Sequence, residues 1–468
     1  MTAAVSRLVI ESAAVATVDT ADWRAGAGTE HSSGHVVVED GVITAVGSGP
    51  APQGSGADAT RIDGHGALLV TPGLVNTHHH LYQWASRGLA QQATLFEWLV
   101  ALYPVWAGLD ESIEYAAASA GLAALAGSGC TAVADHHYVY PRGAGDLDAA
   151  LVAAAGRIGV RLQLVRGSMD SGRSGGGLPP DDLVEDTEQA LAGTEAAIAA
   201  HHDPTPRAMV RVSVGPCSPF SASERLMREA ASLARRHGVR LHTHLAETLD
   251  EEKHCVDRFG RTPIEYADDL GWLGPDVWLA HGIHVAENAI KHLGGTGTGI
   301  AHCPSSNARL GAGIAPVVPL LTAGSPVGLG VDGAASNEHG GLGHELRQAM
   351  LLARLRSGPD ALTARQALWL GTMGGARCLG RERELGSIEV GKLADLAVWR
   401  LDGLGHAGIA DPLAALVFGP LPPLELLLVG GRTIVERGHL STVDEQLLAT
   451  ELAAASHRLL TRADRHGG

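Results

Sequence analysis

Apolar, β-branched segments that run into polar residues recur eight times along the chain: ALLVTPGLVNTHHH, CTAVADHHYVY, VRLQLVRGSMD, MVRVSVGPCSPFS, VRLHTHLAE, VWLAHGIHV, GIAHCPSSN and PVGLGVDGAASN. Between them lie stretches rich in Ala, Leu and Arg whose apolar residues repeat at helical spacing. Eight strand-then-helix units predict an α/β fold, a (β/α)8 barrel over residues 71–385, and such a barrel carries its active site at the C-terminal ends of its strands. The segments SRLVIESAAVATVD and GHVVVEDGVITAVG near the start, and SIEVGKLADLAVWRLDG and LELLLVGGRTIVERGHL near the end, read as short strands with Gly-rich turns. They are expected to meet as one small β-sandwich, built from residues 1–70 and 386–445, with 446–468 as a C-terminal helical tail. SGRSGGGLPPDD at 171–182 is a loop, either a mobile lid or a plain excursion.

The polar residues of the chain fall largely at the predicted strand ends. The first unit ends in His78, His79 and His80; a strand alternates its side chains, so His78 and His80 face one side and His79 the other. Two imidazoles on one face can share a metal, although an isolated His-x-His is more often a polar strand end. The fifth unit, HTHLAE, sets His244 three residues before Glu247, which steps into the following loop; the sixth ends in His281 and the eighth in Asp332. His78, His80, His244 and Asp332 supply three imidazoles and one carboxylate from three strand tops, enough to bind one divalent ion with a position left for water. Glu247 and His281 remain for acid–base work. Each residue alone is more often structural; their coincidence at matching ends of different strands reverses that reading.

At 468 residues the chain accommodates one large domain and one small one. Its mean hydropathy is +0.08 and it has no long uncharged apolar run. Arg7 and Glu11 interrupt the N-terminus where a signal peptide needs its apolar region, so a cytoplasmic protein with no membrane partner is expected. The five cysteines lie far apart without a C-x-x-C pair, which fits a reducing compartment and excludes a cysteine-built zinc knuckle. A net charge of −16 opposes nucleic-acid binding and suits a small neutral or cationic substrate. A homo-oligomer is expected.

N-T-H-H-H at the first strand, H-x-x-E at the fifth, A-H-G at the sixth and V-D-G-x-x-S-N at the eighth resemble the amidohydrolase superfamily. Within it the chain resembles the branch of cytosine deaminases, guanine deaminases and triazine hydrolases. NTHHHLYQ followed by TLFEWLVALYPVWAGL, with GPCSPFS at the fourth strand, is most similar to the 8-oxoguanine deaminases. The resemblance spans essentially the whole chain. It implies that His78, His80, His244 and Asp332 ligate one divalent metal, Zn2+ with Fe2+ as the alternative, and that Glu247 and His281 handle protons. His79 and His242 match no ligand position and are expected to orient or pack; His136, His137 and His302 are expected to make structural hydrogen bonds. Binuclear relatives usually bridge two metals with a carbamylated lysine near the fourth strand, whereas the only lysines, Lys253, Lys291 and Lys392, all follow the fifth. A mononuclear centre follows, with Cys217 as a pocket-lining thiol rather than a bridge.

The chemistry implied is hydrolysis of an amidine-like C–N bond in a ring. Zn2+ lowers the pKa of its water to about 7; Asp332 and His281 would take its proton and aim it, and Glu247 would protonate the ring nitrogen. Gln83, three after His80, stands where guanine deaminases place a glutamine on the purine edge. Tyr82, Trp84, Trp98, Tyr103 and Trp106 are candidates for a stacking wall, with Trp84 and Cys217 expected beside Gln83 as substrate contacts. The arginine that guanine deaminases carry near the end of the fourth strand is missing, Arg211 standing near that strand's start, which favours 8-oxoguanine over guanine. The alternatives are a triazine-type or pyrimidine (isocytosine or cytosine) aminohydrolase or chlorohydrolase on the same metal site, and a catalytically dead scaffold, which usually loses metal ligands. A polynucleotide deaminase is disfavoured by the charge and by the missing H-x-E…P-C-x-x-C signature.

Overall fold

Eight parallel strands close into a barrel in chain order: Leu74–Asn76, Cys130–His137, Arg161–Ser168, Val210–Pro216, Arg240–Leu245, Val277–His281, Gly299–His302 and Val327–Leu329, the last pairing with the first. All eight fall within the segments read from the sequence, and helices separate them. The computed structural model describes residues 7–55 and 58–466; residues 1–6, 56, 57, 467 and 468, which fall in the expected terminal units, lie outside the described residues.

Alternation along each strand explains the packing. In Cys130–His137 the small residues Ala132 and Ala134 turn into the barrel, where they meet Val75, Val165, Trp278 and Ala301. Val133, Leu162, Leu164, Val212, Leu241 and Ile300 face the surrounding helices. Both faces are apolar, as a parallel sheet covered by helices requires. Two kinds of interior residue break this rule: Gln163, which donates to Ser213 at 2.7 Å towards the strand starts, and histidines at the strand tops.

The two ends of the chain build a single nine-stranded, mostly antiparallel sheet. Its joint is the pairing of Leu68–Pro72 with Leu396–Arg400, and Leu8, Ile10, Val36, Val38, Ile43, Val70, Leu396 and Val398 share one apolar cluster. Arg161 on the third barrel strand donates to both carboxylate oxygens of Asp395 at 2.9 Å, locking the barrel to this sheet through a buried ion pair. The last helix, Glu445–His466, returns to pack on Leu95–Trp106 and Glu111–Gly127. No helix among the described residues is long and apolar enough to cross a membrane. The 171–182 loop is bonded to itself, Arg173 N to Pro179 O at 3.0 Å and Ser174 N to Asp181 Oδ1 at 3.1 Å.

Candidate metal centre and active site

A short two-stranded ladder above the rim, His79–His80 beside Asp332–Gly333, ties the first and eighth barrel strands together. His244 lies one residue from the end of the fifth strand and His281 ends the sixth. Ala246, His281 and Asp332 all have positive φ (55°, 74° and 60°), a conformation that costs a non-glycine residue energy and that concentrates where function demands it.

These turns aim the side chains at one point. Nε2 of His78 and Nε2 of His80 each lie 3.3 Å from Oδ1 of Asp332, and Nε2 of His80 lies 3.1 Å from Nε2 of His244. His78, His244, His281 and Asp332 each offer a donor atom within 4.8 Å of the others. Sequence reasoning picked out the same residues, but it kept His281 apart from the ligands, whereas here its ring stands among them.

Proton accounting shows what the cluster needs. His242 donates from Nδ1 to the Trp278 carbonyl (2.8 Å), so its Nε2 accepts from Nδ1 of His78 (2.8 Å), which leaves the His78 Nε2 lone pair facing inward. His80 donates from Nδ1 to the His136 carbonyl and His244 from Nδ1 to the Cys217 carbonyl, both at 2.6 Å. Their Nε2 lone pairs therefore face inward as well. Burial pushes His78, His242 and His244 well below the ordinary histidine range, so these rings are neutral. Lone pairs and a carboxylate oxygen 3.1–3.3 Å apart, with no proton between them, repel unless a cation joins them. Ligands about 2.0–2.2 Å from a tetrahedral zinc stand about 3.3–3.6 Å from one another, so the donor set is close to what such an ion needs.

Around this set, Ser306 Oγ donates to Asp332 Oδ2 at 2.6 Å and Asn307 Oδ1 accepts from His281 Nδ1 at 2.9 Å. Oε2 of Glu247 lies 3.6 Å from Nε2 of His281. Burial, then the charges of Asp332 and Glu251, push the Glu247 carboxyl well above its usual range, which suits it to carry a proton. Burial raises the Cys217 thiol to about 12, so it faces the cavity protonated.

The cluster forms one end of a small, partly enclosed cavity. Leu95, Trp98, Leu99, Tyr103, Tyr138, Phe220 and Leu310 supply its apolar walls, and Gln83, Cys217, Ser218 and Ser336 its polar points. No Lys or Arg is among these residues. Arg211 is at the opposite end of its strand, paired with Glu384 at 2.7 Å. Gln83 accepts from Ala335 N through Oε1 (3.3 Å), and its buried Nε2 makes no hydrogen bond among the described residues. Gly333 makes room for this amide, since a Cβ there would stand 1.8 Å from Gln83 Oε1.

Trp84 is a correction to the sequence reading. Its indole turns away from the cavity, donating Nε1–H to His79 Nε2 at 3.1 Å and carrying the Arg87 guanidinium on its outer face. Of the candidate stacking aromatics, Trp98 and Tyr103 line the cavity, while Tyr82, Trp84 and Trp106 pack outside it. None of the 171–182 loop residues lines it. His136 and His137 make the expected hydrogen bonds, to the carbonyls of Gly215 (2.7 Å) and Val139 (2.9 Å), but Nδ1 of His302 has no partner.

A barrel with this His-x-His, His, His, Asp arrangement at its strand tops agrees with the family model that matches residues 69–433, described as the amidohydrolase family. The chain belongs to that family. This amidohydrolase is 46% identical to an 8-oxoguanine deaminase of Pseudomonas aeruginosa over 91% of its own length and 95% of the relative's. It is 36% identical to a hydroxydechloroatrazine ethylaminohydrolase of Pseudomonas sp. strain ADP, over 93% of each chain. Among solved structures it superposes with a TM-score of 0.89 on an atrazine chlorohydrolase of Arthrobacter aurescens TC1 complexed with zinc, at 32% identity, covering 96% of this chain and 100% of that one.

Sequence reasoning missed Ser306, Asn307, Tyr138, Ser218 and Ser336. Ser306 and Asn307 stand in the CPSSN segment already assigned to a strand top, so their position was readable; their partners, Asp332 and His281, were not. Tyr138 follows ADHH in the same way.

Proposed function

We propose that this amidohydrolase removes the amino group of a small, uncharged, planar heterocycle by hydrolysis, with 8-oxoguanine as substrate and uric acid and ammonia as products. The observation that carries the reading is the 46% identity to the Pseudomonas aeruginosa 8-oxoguanine deaminase over nearly the full length of both chains. The pocket supports it. Its walls lack charged groups apart from the catalytic end, and the unpartnered Nε2 of Gln83 offers a donor to a purine carbonyl.

His78, His80, His244 and Asp332 would hold one divalent ion, zinc or iron, with His281 beside them. When bound, that ion supplies a Lewis acid and a water made nucleophilic near neutral pH. Glu247, protonated by virtue of its burial, gives its proton to the ring nitrogen next to the carbon under attack, which makes that carbon more electrophilic. His281 donates Nδ1–H to Asn307, which fixes its ring with Nε2 towards the site; it orients the attacking water. Asp332 takes one proton of the water and returns it to the departing amine, and the remaining hydroxyl proton restores Glu247, so that water adds, the C–N bond breaks, the ring carbonyl forms and ammonia leaves. Each proton transfer contributes about 10²- to 10⁴-fold in rate.

The alternative is a triazine-type or pyrimidine aminohydrolase or chlorohydrolase, favoured by the relative and the structural neighbour that carry triazine names. One experiment separates them: purified enzyme against 8-oxoguanine, guanine, isocytosine, cytosine and chlorinated triazines, followed by ultraviolet absorbance and ammonia release. The purine reading expects the highest kcat/KM for 8-oxoguanine and loss of that preference in Gln83→Leu with metal retained. A triazine as the best substrate, or an unchanged Gln83→Leu, overturns it.

A further inference from the structure

Six imidazoles crowd the top of the barrel interior, and the proposed chemistry leaves one of them, His136, without a task. It ends the inward row of the second strand after Ala132 and Ala134, and its ring packs beneath the metal centre, 4.9 Å and 28° from the ring of His244 and 5.6 Å from that of His80. Its Nε2 donates to the Gly215 carbonyl at 2.7 Å, so Nδ1 carries a lone pair. That Nδ1 is buried and has no partner. His136 also offers a nitrogen within 4.8 Å of one from His80 and one from His244.

We propose that His136 supplies a further nitrogen ligand to the metal centre, brought by the second barrel strand alongside His80 and His244. A buried lone pair needs a proton donor or a cation, and among the described residues no hydrogen-bond donor reaches this one. The side-chain role is separable from the main chain, because the His136 carbonyl that orients His80 survives any substitution at this position. Five protein ligands would suit an ion able to exceed four-coordination while keeping a place for water. This inference rests on the metal reading made above.

The test is the wild-type protein against His136→Phe, which keeps a flat ring beside His244, with His136→Asn as a second, smaller variant should the first not fold. Each is titrated with Zn2+ against a chromogenic chelator, and each is loaded with Co2+ in place of zinc for its visible absorption. Loss of an orienting partner weakens metal binding about 10- to 100-fold; loss of a true ligand is expected to exceed that and to change the position and intensity of the Co2+ bands. Co2+ bands identical to wild type overturn the proposal, whatever happens to affinity. A wild-type protein that binds no divalent ion at all would instead bring down the metal reading beneath it.

Discussion

Nδ1 of His78 donates to Nε2 of His242 across 2.8 Å, and His242 in turn donates to the carbonyl of Trp278. This relay decides which nitrogen of His78 faces the metal centre. His242→Phe keeps the stack on Trp278, whose ring lies 4.4 Å away, but removes the acceptor. The variant is expected to fold and to bind zinc about 10- to 100-fold more weakly. His242→Gln, which retains an acceptor oxygen, should recover part of the loss. Chelator competition measures both, and equal zinc affinity in all three proteins would contradict the relay.

Glu247 stands 3.6 Å from His281 and belongs to none of the candidate ligand groups among the described residues. Glu247→Gln should therefore keep fold and metal while losing at least about a hundredfold in kcat, the lower range for a lost general acid. Steady-state kinetics beside metal analysis decide this, and near-normal turnover would assign the proton to another group.

Glu345 clamps the two loops around Asp332, accepting from Ser305 N and from Asn337 Nδ2, each at 3.0 Å. Burial raises its carboxyl from 4.5 to about 7. Between those values the folded chain holds a proton that the unfolded chain has released, so stability falls as pH rises from about 4.5 to 7 and this contribution is flat above. The fall is worth about 3 kcal/mol. Urea denaturation at pH 5 and 8 should show wild type losing roughly this much more than Glu345→Gln over the interval; parallel behaviour would refute the assignment.

The Arg161–Asp395 pair is buried on both sides and joins the barrel to the sheet built from the chain ends. Asp395→Ala strands the guanidinium and also removes the acceptor for Gly430 N. The expected cost is about 3–5 kcal/mol of unfolding free energy, read by chemical denaturation. A loss below about 1 kcal/mol would mean that water or another acceptor replaces the carboxylate.

The eight-stranded barrel and the gathering of His78, His80, His244 and Asp332, with His281 and Glu247 kept apart for acid–base work, were legible in the sequence by itself, because a strand's period and the polarity of its end are local properties written in consecutive residues. The ligand tautomers were not. They depend on the carbonyls of His136, Cys217 and Trp278, which meet His80, His244 and His242 only when strands far apart in sequence become neighbours. The same limit divided Trp84 from Trp98: both lie in one aromatic stretch, and only packing turned Trp98 into the cavity and Trp84 out onto Arg87. It also left His136 with no more than an expected structural hydrogen bond, since an imidazole's role follows from which of its nitrogens the folded chain has already satisfied.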